Sequence, residues 1–494
     1  MRRVLIIGAG PGGLSAGMIL AGQGYEVDIF EQADQVGGRN ARLTLGDHYH
    51  FDTGPTFLML PSILEEIFQE AGKKLVDYVE LKRIDPMYQL IFPKGQRFYP
   101  TNDPEKMANQ IEELFPGDYK GYLKFRREES SKYKALYPCL QLDYGSLFDY
   151  LRPTFLKALP KLDAFRSIYS RLSDCFNHEE MRLALTFQAK YLGMSPWSCP
   201  ATFAMIPYIE HEFGVWHTIG GLNQISQGMA KAFEDLGGEI HLEKRVKKIC
   251  TENGKAIGIE LEDGQMICAD CIILNGDFAY NITRLLDEKD HPSWSTEKIM
   301  ESDYSCSTFM IYLGLDTQYD LNHHNIVFAA DYQKNIDGVS RGEELSEDFS
   351  FYVQNPCKID PTLAPEGHST LYILVPVANL RGPIDWEGQK ATLREKIIDK
   401  IEEKFQIVNI RDHIQVEKII TPIEWEKNYS VYKGAVFNLS HTIKQMLYFR
   451  PHNSYNDLEN LYLVGGGTHP GSGLPTIYES GRISARLIQE KLNS

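Results

Sequence analysis

The sequence contains no uninterrupted apolar stretch of about 20 residues, which is the length that a membrane-spanning helix requires. It also has no excess of positive charge, since 67 acidic residues against 51 basic residues give a net charge of −16. A general positive field that would attract phosphates is missing, so no nucleic-acid partner is expected. No signal peptide is visible, because residues 1–3 lead straight into an apolar run. We therefore expect a cytoplasmic protein or one bound peripherally to a membrane.

Cysteine is also sparse, with eight scattered residues in 494 and no disulfide framework, which suggests a reducing compartment. Cys268 and Cys271 form the one C-x-x-C motif, inside residues 265–274, which predict a single apolar strand. No second pair or nearby histidine completes a zinc site, so we interpret the two thiols as neighbours in a core strand, with a redox pair as the alternative. His211 and the His323-His324 pair also have no other potential metal ligands at a suitable spacing in the sequence, which favours loop or surface positions for them. No metal is predicted.

The most informative stretch begins at residues 4–7, a short apolar run that predicts a strand buried on both faces. The run ends at a glycine-rich turn with G-x-G-x-x-G spacing, in which Gly8, Gly10 and Gly13 take the three glycine places and Gly12 is a further cofactor-binding candidate. Such glycines allow a tight turn, the close approach of a pyrophosphate and close packing of the next helix. That helix, predicted over about residues 13–23, directs free N–H groups and the positive end of its dipole at the phosphates.

An acidic residue follows at the position that a ribose requires. Residues 26–30 alternate as a second strand, and Glu31 stands at its end, 18 residues beyond Gly13. A carboxylate there accepts hydrogen bonds from both ribose hydroxyls, which favours an unphosphorylated ribose such as that of FAD or NAD. The sequence therefore predicts an adenine dinucleotide site, the alternative being a glycine-rich turn in another kind of α/β unit.

The next residues distinguish between the two dinucleotides. Gly37, Gly38 and Arg39 follow Glu31 closely, and this pattern resembles flavoproteins of the glutathione-reductase and amine-oxidase families. In those families the diglycine and the arginine line the pyrophosphate and the flavin. The resemblance implies FAD as the cofactor. In related flavoproteins the backbone of the residue matching Val246 also contacts adenine.

Two further segments carry a more specific resemblance. Residues 51–56 resemble the F-D-x-G-P-[ST] element of carotenoid desaturases, which crosses near the flavin and implies contacts from Gly54, Pro55 and Thr56. Residues 460–475 predict a buried strand, a glycine loop and a helix start, and G-T-H-P-G-x-G-[ILV]-P is similar to the C-terminal signature of bacterial phytoene and dehydrosqualene (4,4′-diapophytoene) desaturases. The flavin contacts implied there are Gly466, Gly467, Gly473, Leu474 and Pro475.

The predicted fold is α/β, with a Rossmann-type FAD-binding domain of the glutathione-reductase kind, an inserted α+β substrate domain and a helical, membrane-facing part. The FAD-binding domain is expected in residues 1–70, 206–285 and 431–494. The substrate domain is expected in residues 71–205 and 286–430, the first of which includes the helical part.

The membrane-facing part is predicted from residues 151–172. Large apolar residues alternate there with Lys157, Lys161, Arg166 and Arg171, which suits short helices lying on an anionic lipid surface. The alternative is an ordinary amphipathic cap whose basic face is solvated. We expect the protein at the cytoplasmic face of a membrane, without a membrane-spanning helix.

The resemblance implies that FAD accepts hydride from an allylic carbon of a linear C30 or C40 polyene while the neighbouring carbon loses a proton. Only one dinucleotide fingerprint is present, so oxygen or a membrane quinone is the expected electron acceptor. No base is assigned, and Asp52, His469 and Glu479 are the near-flavin candidates. Alternatives are a carotenoid end-group oxygenase or cis-trans isomerase, an amine oxidase, and a non-enzymatic prenyl-binding protein. The intact glycines and Glu31 argue against the last.

Overall fold

The computed structural model describes residues 2–493. Its strands are β1 (Arg3–Ile7), β2 (Glu26–Phe30), β3 (Arg42–Leu45), β4 (Tyr49–Asp52), β5 (Leu81–Ile84), β6 (Gln89–Ile91), β7 (Arg97–Phe98), β8 (Val215–Thr218), β9 (Glu239–His241), β10 (Val246–Glu252), β11 (Lys255–Leu261), β12 (Met266–Cys268), β13 (Cys271–Asn275), β14 (Ser307–Leu315), β15 (His324–Val327), β16 (Phe351–Gln354), β17 (Ser369–Val377), β18 (Ile414–Ile420) and β19 (Leu461–Val464).

Its α-helices are α1 (Pro11–Gly22), α2 (Pro61–Glu70), α3 (Pro104–Leu114), α4 (Tyr119–Leu140), α5 (Pro153–Ala158), α6 (Ile168–Ser173), α7 (Glu179–Ala184), α8 (Met205–Phe213), α9 (Asn223–Glu234), α10 (Phe278–Leu285), α11 (Thr296–Glu301), α12 (Tyr332–Arg341), α13 (Trp386–Phe405), α14 (Pro422–Tyr429) and α15 (Leu474–Asn493). Short 3₁₀ turns join several of them.

A five-stranded sheet forms the first layer, with the order β19-β13-β1-β2-β9 and parallel pairing throughout. The central strand β1 is apolar, and Val4, Leu5 and Ile6 are fully buried because helices and loops cover both of its faces. Strands far apart in the sequence meet here, so the chain leaves this sheet and returns to it three times, at β9, β13 and β19. The carboxyl ends of β1, β13 and β19 consequently lie side by side.

Helices α1 and α15 pack together with little space between their backbones. A Cβ atom on Gly481 would lie 2.4 Å from the backbone carbonyl oxygen of Gly12, so position 481 has no room for a side chain. The hydroxyl of Ser15 donates to the carbonyl oxygen of Tyr478 at 3.1 Å across the same contact. This contact fixes the C-terminal helix beside the helix that follows the glycine turn.

The predicted strand over residues 265–274 is wrong in one respect. The strand is interrupted at Ala269 and Asp270. As a result, β12 completes an antiparallel three-stranded sheet with β10 and β11, whereas β13 joins the parallel sheet beside β1. Cys268 is exposed and Cys271 is fully buried. The two thiols therefore lie on different strands. The prediction that they share one core strand is wrong.

A seven-stranded sheet forms the second layer, with the order β18-β14-β17-β16-β15-β6-β7. Alternation along its strands separates two faces. On β14 and β17 the residues Phe309, Ile311 and Ile373 pack against helix α13, whereas Met310 and Leu374 face the opposite way, into a cavity. The sheet therefore presents one face to its covering helix and the other to the space between the two sheets.

The segment between β7 and β8 is helical and includes α3 to α8. Within residues 2–493, no helix is both long enough and apolar enough to cross a membrane. Several large apolar side chains of this segment nevertheless lie on the protein surface, among them Phe148 and Phe165.

Candidate functional site

A cavity of about 640 Å³ lies between the parallel sheet and the seven-stranded sheet. The predicted cofactor-binding residues that line it are Gly8, Gly10, Glu31, Gly38, Arg39, Gly54, Pro55, Thr56, Val246, Gly466, Gly473, Leu474 and Pro475. Four others, Gly12, Gly13, Gly37 and Gly467, lie behind this lining. Their role is backbone packing, as the Gly12 contact with α15 illustrates.

The glycine turn after β1 is held by Asn275, at the end of β13. Gly8 has a φ of +95°, and a Cβ atom on it would lie 2.3 Å from the Asn275 carbonyl oxygen. The Asn275 side-chain amide donates to the carbonyl oxygen of Gly8 at 2.8 Å. The sequence did not identify Asn275 as a site residue, because its role depends on β13 pairing beside β1.

Glu31 is buried at the edge of the cavity and is fixed by two backbone groups. Its Oε2 accepts from the Ala9 N–H at 2.8 Å, and its Oε1 accepts from the Ala33 N–H at 2.9 Å. Burial raises the pKa of this carboxyl group, although these two bonds favour the ionised form. Each oxygen keeps a second lone pair for a ribose hydroxyl.

Arg39 supplies a partly buried positive charge to the cavity. Its Nη1 donates to the carbonyl oxygen of Val436 at 2.5 Å, and burial lowers the pKa of the guanidinium, partly offset by Asp277. Asp277 also lines the cavity, and it caps α10 by accepting from the Tyr280 N–H at 3.0 Å. A guanidinium held mainly by a carbonyl oxygen can still bind an anion, which suits a pyrophosphate.

A second cation, fully buried, supports the loop before α15. Arg450 donates to the carbonyl oxygens of Gly466 at 2.5 Å, Thr468 at 3.2 Å and Leu439 at 3.4 Å. Burial lowers the pKa of Arg450 to about 9. The loop therefore reaches the N-terminus of α15 in one fixed shape, and Leu474 and Pro475 at the start of α15 line the cavity.

The other half of the cavity is aromatic and aliphatic. Its wall comes from the seven-stranded sheet, α14 and the 3₁₀ turn at Phe187–Leu192. The apolar lining residues are Phe57, Met59, Phe187, Tyr191, Met310, Ile326, Phe351, Tyr352, Tyr372, Leu374, Trp425 and Tyr429. Lys190 also lines this half, and burial lowers its pKa to about 7.

Comparison with known proteins shows which family combines a nucleotide site of this kind with an apolar cavity. Residues 11–489 match the family described as flavin-containing amine oxidoreductase. The chain belongs to this family.

Relatives within the flavin-containing amine oxidoreductase family align along the whole chain. The chain is 47% identical to a 4,4′-diapophytoene desaturase (4,4′-diapolycopene-forming) from Methylomonas sp, with 99% of this chain and 96% of the relative covered. It is 35% identical to a lycopene-forming phytoene desaturase from Pantoea ananas, with both chains fully covered. An oxidoreductase from Methanosarcina mazei has the same fold, with a TM-score of 0.66 at 18% identity over 99% of this chain and all of that one.

The chain is thus a flavin-dependent oxidoreductase, and its cofactor is FAD. The cavity fits this group on structural grounds, because it is lined by the partly buried guanidinium of Arg39 and by the carboxylate of Glu31, an acceptor for ribose hydroxyls, and because two helix N-termini open onto it. Other residues that line the nucleotide half were not predicted, namely Arg245, Glu262, Asn275, Gly276, Asp277 and Arg284. They come from β10, β11, β13, α10 and the loops beside them, whose neighbours in space are not neighbours in sequence.

The three near-flavin candidates for acid or base chemistry do not line the cavity of this family member. Asp52 caps α9 by accepting from the N–H groups of Leu222 and Asn223 at 2.9 and 3.0 Å. Glu479 is paired with Arg482 at 2.8 Å. In the third case, the ring of His469 is hydrogen-bonded to a carbonyl oxygen at 2.9 Å, and burial lowers its pKa to about 4. Each side chain thus serves a structural contact, and no role as acid or base is assigned to any of the three.

The prediction of loop or surface positions for His211, His323 and His324 is wrong. All three are buried, because α8, which carries His211, and the start of β15, where His323 and His324 lie, pack inside the molecule. His324 Nδ1 lies 2.6 Å from the hydroxyl of Tyr352, which lines the cavity. Burial lowers the pKa of each imidazole, that of His211 to about 3, so all three rings are neutral near pH 7.

Proposed function

We propose that this chain is an FAD-dependent desaturase that introduces double bonds into a linear C30 or C40 polyene of carotenoid biosynthesis, such as 4,4′-diapophytoene or phytoene. The observation that carries the proposal is the continuity of one cavity from the glycine turn at Gly8 to the aromatic wall at Tyr372. The acidic residues that line the cavity, Glu31, Glu262 and Asp277, belong to the nucleotide half. Among the described lining residues, the seven-stranded sheet contributes no carboxylate, which suits a hydrocarbon better than an amine.

The relatives support the C30 substrate in particular. Identity is higher to the 4,4′-diapophytoene desaturase, at 47%, than to the phytoene desaturase from Pantoea ananas, at 35%. The proposed acceptor that reoxidises the flavin is oxygen or a membrane quinone, because the chain carries a single dinucleotide fingerprint.

The chain's own residues act mainly by binding and orientation. FAD, when bound, supplies a two-electron hydride acceptor. Glu31, Arg39 and the N-termini of α1 and α15 would hold it, and the wall that includes Tyr352, Tyr372 and Leu374 would align the polyene and exclude water. A polyene can delocalise the positive charge that hydride loss leaves behind, so the wall needs no anion beside the reacting carbon.

The test is anaerobic mixing of the purified, flavin-loaded protein with liposomes that contain 4,4′-diapophytoene or phytoene. We expect the flavin absorbance to bleach and the product to be two mass units lighter per double bond formed. An unchanged mass would indicate isomerisation, and a higher mass obtained in air would indicate oxygenation. A flavin that stays oxidised with both polyenes would contradict the proposal.

We also propose that the protein docks on a membrane surface through residues 147–165. Phe148 and Phe165 are 80% and 95% exposed, and Lys157 and Lys161 are exposed beside them. Large apolar side chains with lysines around them suit insertion below anionic headgroups. The exposed Phe449 extends the same surface, since the rings of Tyr150 and Tyr448 lie 6.5 Å apart.

Docking is tested by flotation with liposomes that contain anionic lipid. We expect the double variant Phe148→Asp, Phe165→Asp to remain unbound while its flavin content equals that of the wild type. Val408→Asp is the matched control, because Val408 is 70% exposed on a different part of the molecule. Equal binding of the wild type and the double variant would contradict this docking surface.

A further inference from the structure

Among the residues that the structure describes, two lysines line the cavity, and their surroundings differ. Lys247 lies in the nucleotide half, where its amine pairs with Glu260 at 2.6 Å. Lys190 lies in the aromatic half and has no hydrogen bond or ion pair among the described residues. Its Nζ is accessible, whereas the hydroxyl of its neighbour Tyr191 is enclosed. A ligand that occupies the aromatic half of the cavity can therefore reach the amine of Lys190.

The amine of Lys190 lies beside two aromatic rings. Its Nζ is 4.8 Å from the centre of the Tyr332 ring and 5.9 Å from that of the Phe328 ring. The face of such a ring attracts a cation, so a positive charge on this nitrogen is stabilised without a carboxylate. Burial nevertheless lowers the pKa of Lys190 to about 7, partly offset by Cys306. Near neutral pH, many of the molecules therefore carry the neutral amine, which is the form that attacks a carbonyl carbon.

The part of the cavity next to Lys190 is apolar. The 3₁₀ turn that carries Lys190 also places Phe187 and Tyr191 in the lining, and Ile326 of β15 lines the same half. Condensation of an amine with an aldehyde releases water, and a site that excludes water protects the resulting imine from hydrolysis. An accessible amine in apolar surroundings thus suits a carbonyl compound that has a long hydrocarbon chain.

We propose that Lys190 is a covalent binding site for a linear polyene that carries an aldehyde at one end. This inference rests on the proposed function, because it takes the aromatic half of the cavity as the polyene site. The Lys190 nitrogen attacks the carbonyl carbon, and a C=N bond replaces the C=O bond. The oxygen leaves as water together with the two protons of the amine, so no electrons are exchanged with the flavin. The rings of Tyr332 and Phe328 stabilise the imine when it is protonated.

The aldehyde has a defined place in the order of reactions. It is supplied by an oxidation that acts on the end group of a desaturated polyene, which is a reaction that consumes the desaturase product. Bound as an imine, the aldehyde occupies the space that a hydrocarbon polyene needs, and hydrolysis of the imine releases it again. The site therefore gives the desaturation step a reversible inhibition by a later product.

Other groups and other ligands suit this cavity less well. Cys306 also lines it, but burial raises the pKa of the thiol to about 12, so the thiol stays protonated and is a poor nucleophile for the aldehyde. A polyene with a carboxylate end would form a buried ion pair with Lys190. Such a pair is stable only where further hydrogen bonds satisfy both partners, and the two rings beside Nζ provide none.

The first experiment needs no turnover. The flavin-loaded protein is incubated with an equimolar amount of all-trans-retinal, whose aldehyde ends a conjugated chain. Sodium cyanoborohydride then reduces the imine to a stable amine, and peptide mass spectrometry locates the adduct. We expect the main adduct on Lys190, with an added mass equal to that of retinal less one oxygen atom.

Three variants test the assignment. Lys190→Met and Lys190→Arg should each give at least about tenfold less adduct, because neither side chain forms an imine. Lys190→Arg keeps a cation, so it separates imine formation from the attraction of a charge. Lys247→Met, at the other lining lysine, is the matched control and should react as the wild type does. Equal flavin contents verify that all three variants fold.

Two results of this trapping experiment would overturn the proposal. One is a wild-type amount of adduct in Lys190→Met. The other is an adduct spread over exposed lysines without preference for Lys190.

The second experiment measures flavin bleaching by 4,4′-diapophytoene without oxygen, after the trapped protein has been freed of excess retinal and reductant. We expect the wild type to lose bleaching in proportion to the fraction of protein that carries the adduct. Lys190→Arg should bleach at the same rate whether or not retinal was added. An adduct on Lys190 that leaves wild-type bleaching unchanged would overturn the placement of this site in the polyene half.

The outcomes separate the two proposals. If no polyene bleaches the wild-type flavin, the desaturase function fails, and the trapping experiment alone decides whether Lys190 binds the aldehyde. If the polyene bleaches the flavin and no adduct forms on Lys190, the aldehyde site alone fails.

Discussion

The carboxylate of Glu31 accepts a hydrogen bond from the backbone N–H of Ala9, with 2.8 Å between Glu31 Oε2 and the Ala9 nitrogen. This bond ties the end of β2 to the glycine turn that follows β1, so the residue predicted to bind ribose also fixes the shape of the turn. Loss of the carboxylate should therefore affect both the fold and the cofactor.

We predict that Glu31→Gln weakens flavin binding and also destabilises the flavin-free protein. The amide can satisfy only one of the two N–H groups, because its NH₂ end would face the other donor, and an unsatisfied buried donor costs about 1–3 kcal/mol. Flavin titration and thermal melts of both forms measure the two effects. Glu262→Gln is the control at an exposed lining position, and equal stability of the two variants would contradict the structural role.

Arg39 should matter for cofactor binding more than for folding. Its guanidinium is partly buried and donates a hydrogen bond to the carbonyl oxygen of Val436. We expect Arg39→Leu to lower flavin affinity by roughly 10- to 150-fold, the equivalent of about 1.5–3 kcal/mol for a bond to a charged group. The melting temperature of the flavin-free variant should not fall, because a desolvated cation has been removed. A wild-type flavin content would contradict this assignment.

Two helical glycines should respond to alanine in opposite ways. Gly481→Ala places a Cβ atom 2.4 Å from the Gly12 carbonyl oxygen, so we expect a loss of about 1–3 kcal/mol as the helices separate. Gly338→Ala meets only the end of the flexible Glu343 side chain, so the better helix propensity should stabilise the fold by about 0.5–1 kcal/mol. Chemical denaturation of both variants measures the difference, and changes of the same sign would argue against the close contact of α1 and α15.

Asp360 should make stability depend on acid pH. Although burial opposes it, hydrogen bonds from His217, Thr362 and the Gly220 N–H lower the pKa of Asp360 from 3.8 to about 2. A lowered folded-state pKa adds stability above the unfolded value, and that stability is lost as the pH falls from about 4 to about 2.

We therefore expect Asp360→Asn to be less stable than the wild type near neutral pH by up to about 2 kcal/mol, with the gap narrowing below pH 4. Urea denaturation at several pH values measures this difference in the free energy of unfolding. Asp34→Asn, at an exposed position, should show no such gap, and a constant gap for Asp360→Asn would contradict the explanation.

Much of the nucleotide half of the site followed from local sequence. Gly8, Gly10 and Glu31 occupy positions fixed by one strand, one turn and one helix, and all three line the cavity. Acid and base candidates could not be found in the same way. Proximity to a motif suggested Asp52, whereas the partner of its carboxylate is the N-terminus of α9, some 170 residues away in the chain.

The sequence by itself determined the class of cofactor and the elements that hold it, because the glycine turn after β1 and the carboxylate of Glu31 after β2 act through backbone geometry within a short segment. Only the tertiary structure decided which side chains face the cavity and which are buried for support. Asn275 reaches the glycine turn through strand pairing, and Asp52 reaches the N-terminus of α9 through the packing of distant segments. These relationships depend on contacts between distant segments, which no local pattern of residues specifies.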